Sequence, residues 1–209
     1  MHGRRLSWLA GGLGLISCGV VGIVRGSVLG FPGTGAVLTL LSDVLWAAAI
    51  LVLSIGLGRE GSIVARRPLG LGACVVVAVW PLVATLVELI AVPADAEQAE
   101  TWVLWSYLSI VVVLFSGLIA ATQVARARVV PAPWNRVPLW VFGFQVIVWV
   151  IPQVVNVASP EAFIELAPVT SVFGTLGYLA ATLGLGIAAV VLSRRPAVGT
   201  VPIFESPTQ

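Results

Sequence analysis

Six long apolar stretches dominate this chain and decide what it can fold into. They run Leu6–Val24, Ala36–Leu57, Leu69–Val92, Trp102–Gln123, Pro138–Ala158 and Thr170–Leu192, and only Asp43 and Glu88 within them are charged. A bilayer core of ~30 Å is crossed by ~20 helical residues, so each stretch is long enough to span. Strands of a membrane barrel are ~10 residues long and alternate in polarity, which these stretches do not. In lipid a lone segment must also satisfy its own backbone hydrogen bonds, and a helix does so. The expected fold class is therefore all-α: a polytopic membrane bundle of six transmembrane helices, forming one domain over residues 1–209. Composition agrees, since 10% of residues are charged against about 25% in soluble domains. Two cysteines are too few for a disulfide scaffold.

Direction follows from the arginines, which supply all eleven basic residues. With the N-terminus inside, Arg4, Arg5, Arg59, Arg66, Arg67, Arg126, Arg128, Arg136, Arg194 and Arg195 all fall in cytoplasmic segments. The outer segments hold Arg25 alone, with Asp95, Glu97, Glu100, Glu161 and Glu165. Loops this short obey the positive-inside bias, so both termini are expected in the cytoplasm and the protein in the cell membrane. The basic clusters then serve as topology anchors and contacts for anionic lipid, with no nucleic-acid motif beside them.

The first span allows a second reading. Met1-His2-Gly3-Arg4-Arg5 is a basic leader, and Leu15-Ile16-Ser17-Cys18 resembles a bacterial lipoprotein box, which would make Cys18 a lipidation site. Against processing, the apolar run continues through Val24, whereas a signal core stops at 7–15 residues. The length favours a retained helix.

Small residues recur where helices would meet. Gly14, Cys18, Gly22, Gly26 and Gly30 are spaced by four, and Gly177, Ala181, Gly184 and Ala188 share a face of the last span. Such stripes let backbones approach closely. Packing inside the bundle is the favoured use. A membrane-protein partner or a second copy, meeting the Gly14/Gly22 and Gly177/Gly184 faces, is the other. Pro81 and Pro152 interrupt the third and fifth spans and each removes a backbone hydrogen bond. Ser159-Pro160-Glu161 has the form of a helix start and predicts a short interfacial helix before the last span.

Asp43 and Glu88 are the most informative residues. A central carboxylate costs ~2.5–3.5 kcal/mol on insertion scales, so it should face protein, water or a ligand. Asp43 is the deeper; Glu88 lies near an outer border, where reaching the surface explains it equally well. Thr39, Thr85, Ser106, Tyr107, Gln153, Asn156, Thr175 and Tyr178 also fall in the outer halves of their spans, and Gln145, Trp149, Gln153 and Asn156 share one face of the fifth. This asymmetry predicts a polar pocket opening outward and closed inward by apolar packing. The candidate ligand or ion contacts are Asp43, Glu88, Tyr107, Gln153, Asn156 and Tyr178, with Arg25 as an ion-pair partner. Hydrogen bonding between helices, commonly ~0.6 kcal/mol per contact, is the bland use of the same groups.

Several chemistries lack their residues. The sole histidine is His2 and there is no lysine, which removes bis-histidine haem, a zinc helix, a histidine triad and Schiff-base cofactors. No catalytic residue, metal site or cofactor is expected. Two functions remain: small-solute or ion handling, as an outward-facing binding component or small transporter, and a non-catalytic accessory subunit that scaffolds a larger membrane complex. Six spans with both ends inside, an outer polar pocket and a small-residue first helix are similar to the substrate-capture subunits of vitamin transporters. The likeness is of architecture alone, with no shared motif.

Overall fold

The computed structural model describes residues 2–27, 34–57, 61–90 and 96–194. Among them the chain is helical, without strands. The helices are α1 (His2–Ser27), α2 (Thr34–Ile55), α3 (Pro68–Ile90), α4 (Ala96–Ala127), α5 (Val137–Ala158), α6 (Pro160–Leu179) and α7 (Leu185–Ser193). A three-residue 3-10 turn, Trp134–Arg136, leads into α5, and a π turn, Ala180–Gly184, joins α6 to α7. Six helical segments are long and apolar enough to cross a membrane; the sixth, Phe163–Ser193, is α6, the π turn and α7 taken together. All six expected spans are present.

Helices extend beyond the apolar stretches where the flanking residues favour helix. The fourth begins at Ala96, six residues before Trp102, through Ala96-Glu97-Gln98-Ala99-Glu100, which are mostly strong helix formers. Phe31-Pro32-Gly33, a turn sequence before the second span, and Pro93, which would end the third, lie outside the described residues. The larger departure is at Ser159. Its backbone N–H bonds the Val155 carbonyl (2.8 Å) and closes α5, while its carbonyl accepts the Phe163 N–H (3.1 Å) and opens α6. Pro160 takes the first helical position, where a missing N–H costs nothing. In place of a separate short helix, Ser159 opens α6, which runs on through Pro168.

Each span packs on its sequence neighbours, and the sixth returns to the first. That return changes along its length. The α6 half has α5 as its main neighbour, whereas α7 lies against α1, and the π turn marks the change. Tight α1 contacts come from glycine. A Cβ on Gly12 would stand 2.8 Å from the Gly186 carbonyl oxygen, and one on Gly186 would stand 2.8 Å from that of Gly12. Gly11 and Gly14 lie against the Leu53 and Ala49 side chains of α2. The stripe through Gly14 and Gly22 is thus divided between two neighbours: Gly14 rests on α2, Gly22 on the sixth span.

The densest packing is at the end that carries the arginine-bearing segments. Trp8, Val64, Cys74, Val124, Val130 and Leu192 form one buried cluster, and Leu15, Ala49, Leu53 and Ala189 a second above it. Val64 sits in the connection between α2 and α3 and is fully buried, so this connection folds into the bundle end as a plug. Gly56 begins it at φ +72°, where a Cβ would meet the backbone of Gly61 and Ser62 at 2.6 Å. Trp8 Nε1 donates to the Gly61 carbonyl (3.2 Å), and the Leu57 N–H donates to Ser7 Oγ (2.7 Å). Arg4 lies over the Trp8 ring at 5.2 Å and donates to the Val129 carbonyl. One end of the bundle is closed.

Candidate functional site

Polar side chains of the other half gather on α1, α2, α3 and α6. Asp43 is nine residues into α2, about 14 Å from its start at 1.5 Å per residue, and is half-buried. Thr85 Oγ1 of α3 donates to Asp43 Oδ2 at 2.6 Å. A hydrogen bond to a charged group contributes about 1.5–3 kcal/mol, comparable with the cost of inserting one carboxylate. This one bond offsets much of that cost. Arg25, expected as an ion-pair partner, donates instead to Thr39 Oγ1 (3.2 Å), and Thr39 in turn donates to the Gly35 carbonyl (2.8 Å). Thr39 precedes Asp43 by four residues on α2, so guanidinium and carboxylate flank one helical turn. Among the described residues neither Asp43 nor Glu88 is ion-paired.

Beside this turn, Cys18, Ser42 and Tyr178 form a closed circuit. Tyr178 Oη donates to the Cys18 carbonyl (2.8 Å) and lies 3.0 Å from Ser42 Oγ. Cys18 Sγ lies 3.4 Å from both the Ser42 carbonyl and Ser42 Oγ, and 3.5 Å from Tyr178 Oη. Each group has one proton. With that of Tyr178 given to the Cys18 carbonyl, Ser42 donates to Tyr178, and the thiol donates to the Ser42 carbonyl. Cys18 and Ser42 are buried. Both Cys18 and Cys74 are free thiols. Gly22 explains how a tyrosine fits: the Tyr178 ring occupies the place where any Cβ at Gly22 would go.

The other candidates are placed differently. Glu88 is exposed two residues from the end of α3, in keeping with a carboxylate that reaches the surface. Tyr107 is exposed on α4, and Gln153 and Asn156 are exposed on α5. The fifth-span stripe is real as a face, but its groups do not converge on Asp43. Gln145 lies against Gly177, and Trp149, Gln153 and Asn156 point away from the bundle's buried contacts. Between α5 and α6 the structure has a groove of about 240 Å³, lined by apolar residues including Phe144, Ile151, Phe163 and Phe173. Trp80 of α3 stacks on Trp105 of α4 (5.5 Å), and Trp80 Nε1 and Ser109 Oγ are buried without a partner among the described residues.

Three residues of this region were not singled out from sequence. Ser42 was hidden beside Asp43. Ser171 and Thr182 complete a hydroxyl face with Thr175 and Tyr178, at offsets of 4, 7 and 11 from Ser171, and that spacing was available in the sequence. Thr182 is fully buried and donates to the Tyr178 carbonyl (2.8 Å). No group of three or more metal-ligating side chains occurs among the described residues. No family model, curated protein or solved structure matches the chain. The architectural likeness drawn from span count therefore carries no argument, and the functional reading rests on geometry.

Proposed function

We propose that the protein handles a small solute or ion in the cell membrane, as an outward-facing binding component or small transporter, with both termini in the cytoplasm. One observation carries this reading: a half-buried carboxylate, Asp43, has a single hydroxyl donor and no cation among the described residues. A carboxylate kept at this depth for structure alone would be expected to have its charge paired. Its setting supports the same reading. The arginine end is plugged by Trp8, Val64 and Leu192, and the positive-inside bias puts that end in the cytoplasm. The polar groups occupy the opposite half. Asp43 is the contact we assign to the solute, with Thr85 orienting it and Tyr178, Ser42 and Arg25 close by.

Asp43→Asn tests it. The variant should accumulate and purify normally, because Asn still accepts from Thr85, yet lose whatever small molecule or ion co-purifies with the wild type, read by mass spectrometry of the gently purified protein. Poor accumulation would make Asp43 structural. Normal accumulation with an unchanged set of bound small molecules would remove Asp43 from the site.

A second reading has its own support. No residue of α5 is buried, Gly143 and Gly174 have nothing within 4 Å of a Cβ position, and Gly184 has only its own helix's Leu179 carbonyl there. A helix pair with this much open surface suits an accessory subunit that docks on a larger membrane complex. Loss of a co-purifying protein in Asp43→Asn, with bound small molecules unchanged, would favour it.

A further inference from the structure

The seam between α1 and the sixth span tightens at one end and parts at the other. Starting at the arginine end, Gly12 meets Gly186 backbone to backbone. Gly19 then meets Thr182 Oγ1 and Leu183, each near 2.8 Å from a Cβ position, and Gly22 meets the Tyr178 ring. One turn further, Gly26 has nothing within 4 Å. The facing residues follow the same gradient. Thr182 is fully buried, Tyr178 half-buried, and Thr175 and Ser171, on the same face of α6, are exposed. Thr175 Oγ1 is engaged within its own helix, donating to the Ser171 carbonyl (3.0 Å). Among the described residues the seam is zipped as far as Tyr178 and open beyond it.

The helix is irregular just inside the zipped part, two residues from Tyr178. In the π turn Ala180–Gly184 the Leu185 N–H bonds the Ala180 carbonyl, five residues back, and shares itself with that of Thr182. Such turns occur mostly as local bulges, frequently at functional sites. The α7 side is held by glycine–backbone contacts with α1, while α6 has its main support from α5. Tyr178 stands two residues before the π turn and ties α6 to Cys18 and Ser42.

We propose that α6 is an outer gate over Cys18 and Ser42, hinged at Ala180–Gly184 and latched by the Tyr178 hydroxyl. Closed, the latch buries Cys18. Opened by a pivot of α6 with α5, it exposes Cys18 and Ser42, while the Gly12–Gly186 contact keeps the cytoplasmic end shut. What the gate admits rests on the solute-handling reading above; the gate itself does not.

The chain's two cysteines make the test direct. Cys18 lies under the latch and Cys74 in the plug at the other end, so alkylation by N-ethylmaleimide, followed peptide by peptide in membranes, reports the two ends separately. Tyr178→Phe removes the latch bonds and should speed Cys18 labelling about threefold to tenfold, the effect expected of a typical net hydrogen bond. Cys74 should be unchanged. Gly22→Ala, which displaces the ring without removing a hydroxyl, should raise Cys18 labelling in the same selective way. Hydrogen exchange over residues 163–176 should rise in both variants while that over 185–193 holds. Unchanged Cys18 labelling in both variants would overturn the gate. So would a parallel rise at Cys74, which would mean general loosening. Labelling needs no solute, so this result and that of Asp43→Asn fail independently.

Discussion

Trp8 shows how much one side chain can anchor at a membrane border. It is 2% exposed, with its indole N–H on Gly61, its face under Arg4 and its edge among Val64, Val130 and Leu192. Four segments distant in sequence therefore meet on one ring. Trp8→Phe keeps most of the apolar contact and removes the donor, leaving the buried Gly61 carbonyl without its indole partner. This should destabilise by about 1–3 kcal/mol. Arg4→Ala, which removes a partly hydrated cation–π contact, should cost about 0.5–1 kcal/mol. Thermal unfolding in detergent gives both, and a smaller loss for Trp8→Phe than for Arg4→Ala would mean that the indole bond does not anchor the plug. From sequence, Trp8 is one more aromatic near a basic border. Apart from Arg4, one turn before it, its partners are 53 or more residues away along the chain, out of reach of any local pattern.

At the scale of an element, proline and tryptophan act together. Pro81 has no N–H, so the Val77 carbonyl four residues back loses its helical donor. Trp46 of α2 supplies one, its Nε1 lying 3.1 Å from that oxygen. The proline that weakens α3 thereby creates an acceptor for α2, in a medium with no water to take that place. Trp46→Phe should cost about 0.5–2 kcal/mol in the wild type and clearly less with Pro81→Ala, where Val77 regains a helical partner. A double-mutant cycle on unfolding in detergent should show coupling of about 0.5–1.5 kcal/mol. Additive effects would mean that the two are independent. The helices themselves were legible, because length and apolar content set them. Their ends were less so: Thr170 looks like the start of the last span because Pro168 and Glu165 precede it, yet α6 begins at Pro160. Membrane helices tolerate an internal proline when neighbouring groups take up the freed carbonyl, and local composition does not reveal those neighbours.

The whole molecule is a circuit of six spans whose last member closes it on the first at one end only. The segments that carry Arg4, Arg66, Arg128 and Arg194 meet at the closed end, in the cluster that joins Trp8, Val64, Val130 and Leu192. The proposed orientation predicts that compartment-sensitive reporters fused at residue 1 and at residue 209 both report the cytoplasm. Reporters on opposite sides would contradict an even number of spans, and both outside would contradict the arginine argument. The α5–α6 hairpin, exposed on most faces, is the part free to move or to be covered.

By itself the sequence determined the number of spans, their helical class and the shared end of the arginine-bearing segments. Each depends on a stretch of chain meeting lipid or water, which is a local matter of length and charge. It also located polar groups in one half. Which of them act together was decided only by the tertiary structure. Asp43 faces Thr85, not Arg25, and Tyr178 joins Cys18 and Ser42, while Gln153 and Asn156 stay apart on an exposed face. The reason is geometric. Adjacent residues such as Ser42 and Asp43 differ by about 100° around a helix of 3.6 residues per turn, so they address different neighbours. Which neighbour stands there depends on glycine contacts such as Gly12 with Gly186, made by segments more than 170 residues apart.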